Sequence, residues 1–191
     1  MPADRSAILA SVCGALATGD RATAAKYVKE EYPFEPIAAV ERKYGELEAT
    51  KVFLRDGFID RYSGSRLVFP GALRVLSVEL PAEFPFHSNW RMSETHEAFW
   101  ELSPTVDHIV PVARGGEDAE ANWVTTSMRR NSAKSNWTLA ELGWELQPPG
   151  SLEDWDGLLS WFGRYVAANR HLLKIGLIAR WYKAAGQAGA R

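Results

Sequence analysis

Four polar residues in one short stretch of the chain have the types and the spacing to do chemistry. They are Asp107, His108, Asn122 and Asn131. Apolar runs at 105–112 and 123–126 predict two short strands on either side of an acidic loop, and 127–135 has helical character. A strand–loop–strand–helix of this size has little core of its own. Its polar residues therefore indicate chemistry rather than packing.

The oxygen-bearing side chains of Asp107 and Asn131 indicate a site for a divalent cation. Two oxygen ligands with room for water suit a hard cation, so Mg²⁺ is favoured over Zn²⁺. A neutral imidazole at His108, free of the metal, can take a proton from water. Neighbouring strand residues point to opposite faces, so Asp107 and His108 can face one point only where the strand is distorted or ends. Pro111 and the Gly-Gly turn predict such a place just after His108.

Positive side chains lie on both sides of this group. Arg129, Arg130 and Lys134 fall on the predicted helix, and Arg114 precedes the Gly-Gly turn. Their charges suit the phosphates that flank a cleaved bond. The acidic loop at 117–120 opposes that charge, so we expect it to point away from the nucleic acid.

The stretch resembles the nuclease finger of the HNH (ββα-metal) endonucleases. The resemblance is carried by Asp107-His108-Ile109-Val110-Pro111, Gly115-Gly116, Asn122-Trp123 and Asn131-x-x-Lys134. The spacing from the histidine to the first asparagine is 14 residues, and the spacing between the two asparagines is 9, both usual for the family. Asparagine stands where the name-giving members have a second histidine. In this the stretch looks like the nuclease subdomain of RNA-guided DNA-cleaving effectors.

The resemblance implies a role for each matching position. His108 would be the general base, and Asp107 and Asn131 would be ligands of Mg²⁺ or Mn²⁺. Asn122 would fix the loop and so orient His108, and Lys134 would lie near the scissile phosphate. The implied activity is that of an endonuclease that hydrolyses phosphodiester bonds in DNA.

The chain departs from the family in one respect. Many members brace the finger with four cysteines on a structural zinc, whereas this chain has one cysteine, Cys13, so no such zinc is expected. We expect packing to brace the finger instead. The tryptophans expected to do so are Trp100, Trp123, Trp137 and Trp144.

Most of the chain before the stretch reads as helix. Capping residues and apolar periodicity predict helices at 4–17, 21–31, 37–44, 71–80 and 94–102. Residues 49–58 fit a helix or a strand, and 60–67 predict the turn of a hairpin. These elements must hold the candidate residues in place.

Helices are also predicted after the stretch. A short helix at 139–142 precedes a candidate linker at 147–150, and a long helical region at 152–187 breaks near Asn169. The chain is thus predicted to be a mostly helical α+β protein in which N-terminal and C-terminal helices brace a ββα-metal finger. The predicted regions are a helical part at 1–58, a nuclease region at 59–146 with its finger at 104–136, and a basic helical part at 151–191.

Charge is distributed unevenly, although the net charge is only −2. Residues 157–191 carry 6 Lys and Arg and no acid. A basic segment on an otherwise acidic chain indicates a possible contact for nucleic acid, and a solvated helix face is the alternative.

Other functional classes stay open on the sequence. The first is a non-catalytic nucleic-acid-binding module on the same scaffold, and the second is a toxin-like nuclease controlled by a protein partner. DNA and RNA are both open as substrates, and a homodimer is open because one finger cuts one strand at a time. No apolar run reaches the ~18 residues of a membrane span, and a single cysteine fits a reducing compartment. We therefore expect a cytoplasmic protein with no membrane partner.

Overall fold

The computed structural model describes residues 4–34 and 44–189, which fall into two compact units, Met1–Ala39 and Val40–Arg191. In the first unit, α1 (Arg5–Ala17) packs with α2 (Arg21–Glu31). The aspartates before the two helices cap them, accepting hydrogen bonds from Ser6 N and Thr23 N. These helices confirm the predictions at 4–17 and 21–31. The helix predicted at 37–44 lies, except for its last residue, outside the described residues.

The second unit contains seven further helices and two strands among its described residues. They are α3 (Glu46–Arg55), α4 (Pro70–Glu79), α5 (Ala98–Glu101), β1 (Pro104–His108), β2 (Trp123–Ser127), α6 (Met128–Lys134), α7 (Leu139–Leu142), α8 (Leu159–Ala168) and α9 (Gly176–Gln187). Short 3₁₀ turns lie at Val112–Arg114, Glu120–Asn122 and Arg170–Lys174. The chain is therefore a largely helical α+β protein with a small antiparallel sheet, as predicted.

An aromatic core holds α3, α4, α8 and α9 together. Phe69 on the N-terminal side of α4 packs against Phe162 of α8, with ring centroids 5.1 Å apart, and against Trp181 of α9 at 5.4 Å. The segment at 49–58, which fits a helix or a strand by sequence, is mostly helix. Its buried residues include Ala49, Val52 and Phe53, which share one helical face because they are three and four positions apart.

The two strands form an antiparallel pair that runs directly into α6. Pairing extends from Pro104↔Ser127 to His108↔Trp123, and the Ser127 side chain caps α6 by accepting from Arg130 N at 3.2 Å. β1 is shorter than predicted, because the backbone bends at Ile109 and Val110 before Pro111. The order strand–strand–helix is the one predicted for the finger, and its binding of metal stays a prediction.

Two predicted elements upstream of the strands are shorter than expected. The hairpin at 60–67 is reduced to one bridge, Ile59↔Arg66, because Arg61 N donates to the β2 carbonyl of Thr125 at 2.8 Å instead. The helix predicted at 94–102 forms only as α5. Thr95 and His96 are held in a turn in which the His96 imidazole accepts from Ala98 N at 3.2 Å.

The long helical region predicted at 152–187 begins only with α8. Gly157 and Leu158 have φ of 67° and 63°, a left-handed conformation that an α-helix does not accept. Before them, Trp155 Nε1 donates to Leu67 O at 2.7 Å and anchors the segment to the core. The predicted break is confirmed, since α8 ends at Ala168 and Asn169 is its C-cap.

The candidate linker at 147–150 is packed against the fold. Gln147 N donates to Arg61 O at 2.7 Å, and Gly150 N donates to Asp56 O at 3.0 Å. At Gly57, where φ is 63°, an added Cβ would lie 2.3 Å from Gly150 O, so both positions need the small residue. This segment therefore extends the framework around the strands. Within the described part of the chain, none of the helices is long and apolar enough to cross a membrane.

Candidate active site

Two buried aspartates from the segment after α3 brace β2. Asp56 Oδ2 accepts from Thr125 N at 2.7 Å, and Asp60 Oδ2 accepts from Ser127 N at 3.0 Å. Asp60 Oδ1 also accepts from Thr126 Oγ1 at 3.1 Å. Carboxylates thus take up backbone donors of β2 that would otherwise be buried without a partner. Much of the bracing in this part of the chain is polar.

The tryptophans expected to brace the strands divide into different roles. Trp123 is buried in the core, and Trp100 packs edge-on against Trp90 with ring centroids 5.7 Å apart. Trp144 contacts the ring of Tyr62 at 5.7 Å. Trp137 is 53% exposed, so the prediction that it braces the strands is wrong, because its position after α6 faces solvent.

Asp107 lies near the end of β1 in a buried polar contact. Its Oδ2 accepts from Tyr62 Oη at 2.8 Å and lies 3.0 Å from Lys134 Nζ. Burial, and after it the negative charge of Asp107, raises the pKa of the Tyr62 hydroxyl well above its usual range. Tyr62 therefore keeps its proton and holds the Asp107 carboxylate as a donor.

His108 ends β1 and faces a carboxylate from the loop that follows. Its Nε2 lies 2.8 Å from Asp118 Oδ1, and Trp123 Nε1 lies 3.1 Å from that Nε2 and 3.0 Å from the same Oδ1. Asp118 belongs to the acidic loop, which we expect to point away from the nucleic acid; that orientation stays a prediction. The loop folds back so that Asp118 contacts the residue at the end of β1.

Asn122 holds this loop in place. Its Oδ1 accepts from Val110 N at 2.9 Å, and its Nδ2 donates to Val110 O at 2.9 Å and to Glu117 O at 2.8 Å. The loop also needs Gly116, where an added Cβ would lie 1.9 Å from Val110 O. These contacts are those of a residue that fixes the loop, the role that the resemblance implies for Asn122.

Lys134 is fully buried at the end of α6, with 0% of its side chain exposed. Its ammonium donates to His108 O at 2.7 Å and pairs with Asp107. This corrects the prediction that Lys134 contacts the scissile phosphate, because a buried ammonium with these partners is not presented to a nucleic acid. Lys134 joins the two adjacent residues of β1 to α6 instead.

Asn131 lies one turn before Lys134 on α6 and faces the start of β1. Its Nδ2 is 3.5 Å from both Thr105 Oγ1 and Val106 O, so it is held only weakly. Within the described residues, no hydrogen bond joins the side chains of Asp107, His108 and Asn131 to one another. The link between the first two is Lys134.

Asp107 and His108 make their contacts on opposite faces of the sheet. Asp107 pairs across the sheet with Val124 and contacts Tyr62, whereas His108 pairs with Trp123. This is the alternation of a regular strand, and the strand ends only after His108. A distortion within the strand would be needed to turn both side chains toward one point. The backbone bends only after His108, at Ile109 and Val110.

Asp107 and Asn131 carry oxygen atoms, the ligands that a hard cation prefers. Among the described residues, Tyr62 and Lys134 contact Oδ2 of the Asp107 carboxylate, and Asn131 carries an amide oxygen on α6. Mg²⁺ keeps several waters and is usually held by one or two carboxylates, so these residues fit an open site. Among residues 4–34 and 44–189, no group of three or more His, Cys, Asp and Glu side chains is placed to hold a metal ion.

The three arginines predicted to contact nucleic acid lie at the surface in ion pairs. Arg114 pairs with Glu141 at 2.7 Å, and Arg129 pairs with Glu97 at 2.5 Å. Arg130 lies over the ring of Trp144 at 5.4 Å and is 3.9 Å from Asp60. Exposed pairs such as those of Arg114 and Arg129 exchange partners at little cost, whereas the partner of Arg130, Asp60, is buried.

Two residues of the site, Asp118 and Tyr62, were not predicted from the sequence. Asp118 is ten residues after His108, within a loop closed by the Gly-Gly turn and Asn122. The Gly-Gly turn and Asn122 could have predicted that this loop folds back to the end of β1. Tyr62 is 45 residues from Asp107, and no local pattern marks the contact.

Comparisons with models of known protein families, with curated proteins and with solved structures find no match to this chain. The resemblance to the HNH endonucleases therefore stays a prediction.

Proposed function

We propose that the protein is a metal-dependent endonuclease of the HNH type that hydrolyses phosphodiester bonds in DNA. The observation that carries the proposal is the end of β1. There two adjacent residues with buried side chains, Asp107 and His108, are tied to α6 by Lys134, whose ammonium pairs with the Asp107 carboxylate and donates to the His108 backbone carbonyl.

In the proposed reaction, the imidazole of His108 takes a proton from water. The resulting hydroxide attacks the phosphorus, and the bond to the leaving 3′ oxygen breaks with its electron pair staying on that oxygen. Asp107 and Asn131 would hold Mg²⁺ or Mn²⁺, which when bound supplies positive charge to the phosphate oxygens. Asn122 keeps the loop closed while the proton moves.

The remaining cations have separate roles in this proposal. Arg114, Arg129 and Arg130 would exchange their carboxylate partners for phosphates of the bound strand. Lys134 acts inside the protein, where its ammonium pairs with Asp107 and fixes the end of β1. Basic residues of α8 and α9 would add a weaker, salt-dependent attraction.

The test is cleavage of a supercoiled plasmid with Mg²⁺ and with EDTA. Wild type is expected to nick the plasmid only with the metal, and His108→Ala is expected to lose about 10²–10⁴-fold in rate, the usual contribution of a general base. His171→Ala, at an exposed histidine, is the matched control and should cleave like wild type. A single-stranded RNA tested in parallel separates the two substrates. Equal cleavage by His108→Ala, or none by wild type, contradicts the proposal.

One observation favours a second candidate, the non-catalytic nucleic-acid-binding module. The Lys134 ammonium lies 3.0 Å from Asp107 Oδ2, and its positive charge opposes a cation at the same carboxylate. If the lysine stands in place of the metal, the protein binds nucleic acid without cutting it. Salt-dependent binding of DNA with no Mg²⁺-dependent product would identify this case.

A further inference from the structure

We propose that Asp118 is a positioning residue that fixes the His108 ring with its proton on Nε2, so that Nδ1 is the atom that takes the proton from water. This inference rests on the proposed function for its consequence in catalysis. The tautomer itself is a property of the folded chain. It can be measured whether or not the protein cleaves DNA.

The geometry at Nε2 selects the tautomer. Nε2 and Asp118 Oδ1 are 2.8 Å apart, and two hydrogen-bond acceptors at that distance would repel each other, so Nε2 carries the hydrogen. Both side chains are nearly enclosed, with 9% of His108 and 8% of Asp118 exposed. Water therefore competes weakly for this contact.

Trp123 strengthens the same arrangement. Its Nε1 lies 3.0 Å from Asp118 Oδ1 and 3.1 Å from His108 Nε2. A protonated Nε2 cannot accept, so the indole donates to the carboxylate. Two N–H groups thus converge on one oxygen of Asp118, and the lone pair of the neutral ring is left at Nδ1.

The loop that carries Asp118 is built to stay in place. Asn122 donates to Glu117 O, the residue before Asp118, at 2.8 Å and also holds Val110. The backbone at Gly116 lies too close to Val110 O for any side chain. The carboxylate is therefore supported from the loop that Asn122 closes, which links the asparagine to the orientation of the histidine.

The experiment is nitrogen-15 NMR of the full chain, in which the two ring nitrogens of a neutral histidine give different shifts. The His108 signal is identified by its loss in His108→Gln. Wild type is expected to show the Nε2–H form. Asp118→Ala is expected to shift the ring toward a mixture of both forms, and Asp118→Asn, which keeps an acceptor oxygen, is expected to restore Nε2–H. Glu117→Ala removes a neighbouring exposed charge and should leave the spectrum unchanged.

A kinetic measurement adds the catalytic consequence. Asp118→Ala should lower kcat by about 10–100-fold, the effect known for the loss of a hydrogen-bond partner that orients a metal-ligating histidine, with KM for DNA unchanged. An Nδ1–H ring in wild type, a tautomer that Asp118→Ala leaves unchanged, or a faster Asp118→Ala enzyme overturns the inference. If wild type shows the Nε2–H form but does not cleave DNA, the inference stands and the proposed function is refuted.

Discussion

The helical body made by α3, α4, α8 and α9 and the strand–strand–helix segment of β1, β2 and α6 bury different chemistry. The largest fully buried side chains of the body are apolar and include Phe53, Phe162 and Ile178. The segment buries Asp107, His108 and Lys134. Apolar burial stabilises a fold in proportion to area, whereas a buried ion pair at best repays its desolvation. The body therefore contributes most of the folding free energy, and part of it offsets the cost of burying the polar groups of the segment.

The connection between the two regions is polar as well. Asp56 and Asp60 come directly after the helix that packs on α9, and they hold the backbone of β2. All eight tryptophans lie in the second unit, so tryptophan fluorescence reports the unfolding of body and segment together.

The largest loss of folding stability is expected when the segment loses the buried ammonium of Lys134. Lys134→Met leaves the Asp107 carboxylate buried without its ion-pair partner, which should lower the free energy of unfolding by about 3–5 kcal/mol. Urea denaturation followed by tryptophan fluorescence measures this. Lys51→Met, at an exposed lysine of α3, is the control and should stay within about 0.5 kcal/mol of wild type. An equal, small effect of both variants would show that the segment does not depend on Lys134.

A smaller loss is expected at the connection between the regions. Asp60→Asn keeps the shape of the side chain but turns an NH₂ group toward a backbone N–H of Tyr62 or Ser127. Leaving such donors unsatisfied should cost about 2–3 kcal/mol. Asp154→Asn, at an exposed position, is the matched control. If the two variants unfold at the same urea concentration, the polar bracing of β2 is not needed.

The smallest effect is expected at Tyr62. Tyr62→Phe removes one hydrogen bond to a carboxylate that keeps Lys134, which should cost about 1.5 kcal/mol near neutral pH. Burial and the charge of Asp107 raise the pKa of Tyr62 in the folded chain. This contribution is therefore fully present below the unfolded pKa of about 10 and is lost as pH rises through the folded pKa.

Stability measured from pH 8 upward should accordingly fall less steeply in Tyr62→Phe than in wild type above about pH 10. Tyr32→Phe, at an exposed tyrosine of the first unit, should leave the slope unchanged. Parallel curves for wild type and Tyr62→Phe would contradict the buried contact between Tyr62 and Asp107.

Local rules predicted much of the fold. Asp20 and Thr138 cap the helices expected of them, and the apolar runs around the acidic loop form the two strands. These features depend on neighbouring residues only. The early end of β1 and the late start of α8 were not predicted, because each depends on backbone angles or anchors that distant residues impose.

The site was predicted less completely for the same reason. Spacing predicted a site of Asp107, His108 and Asn131, which stays a prediction, and the contacts of Asn122 agree with the role that the resemblance implies. A lysine near the end of a short helix reads as solvent-exposed, so the burial of Lys134 was not foreseen. Its partners on β1 are 26 and 27 residues away in sequence, and the contacts exist only once the strands and α6 have packed.

The central claim is that the polar residues of the segment serve chemistry rather than stability. The most direct test measures unfolding and Mg²⁺-dependent plasmid cleavage on the same preparation of the double variant Asp107→Asn/Lys134→Met. Removing both charges should bring the free energy of unfolding back to within about 1 kcal/mol of wild type, with cleavage abolished although wild type cuts. A double variant that cuts as fast as wild type, or a wild type that does not cut, would contradict the claim.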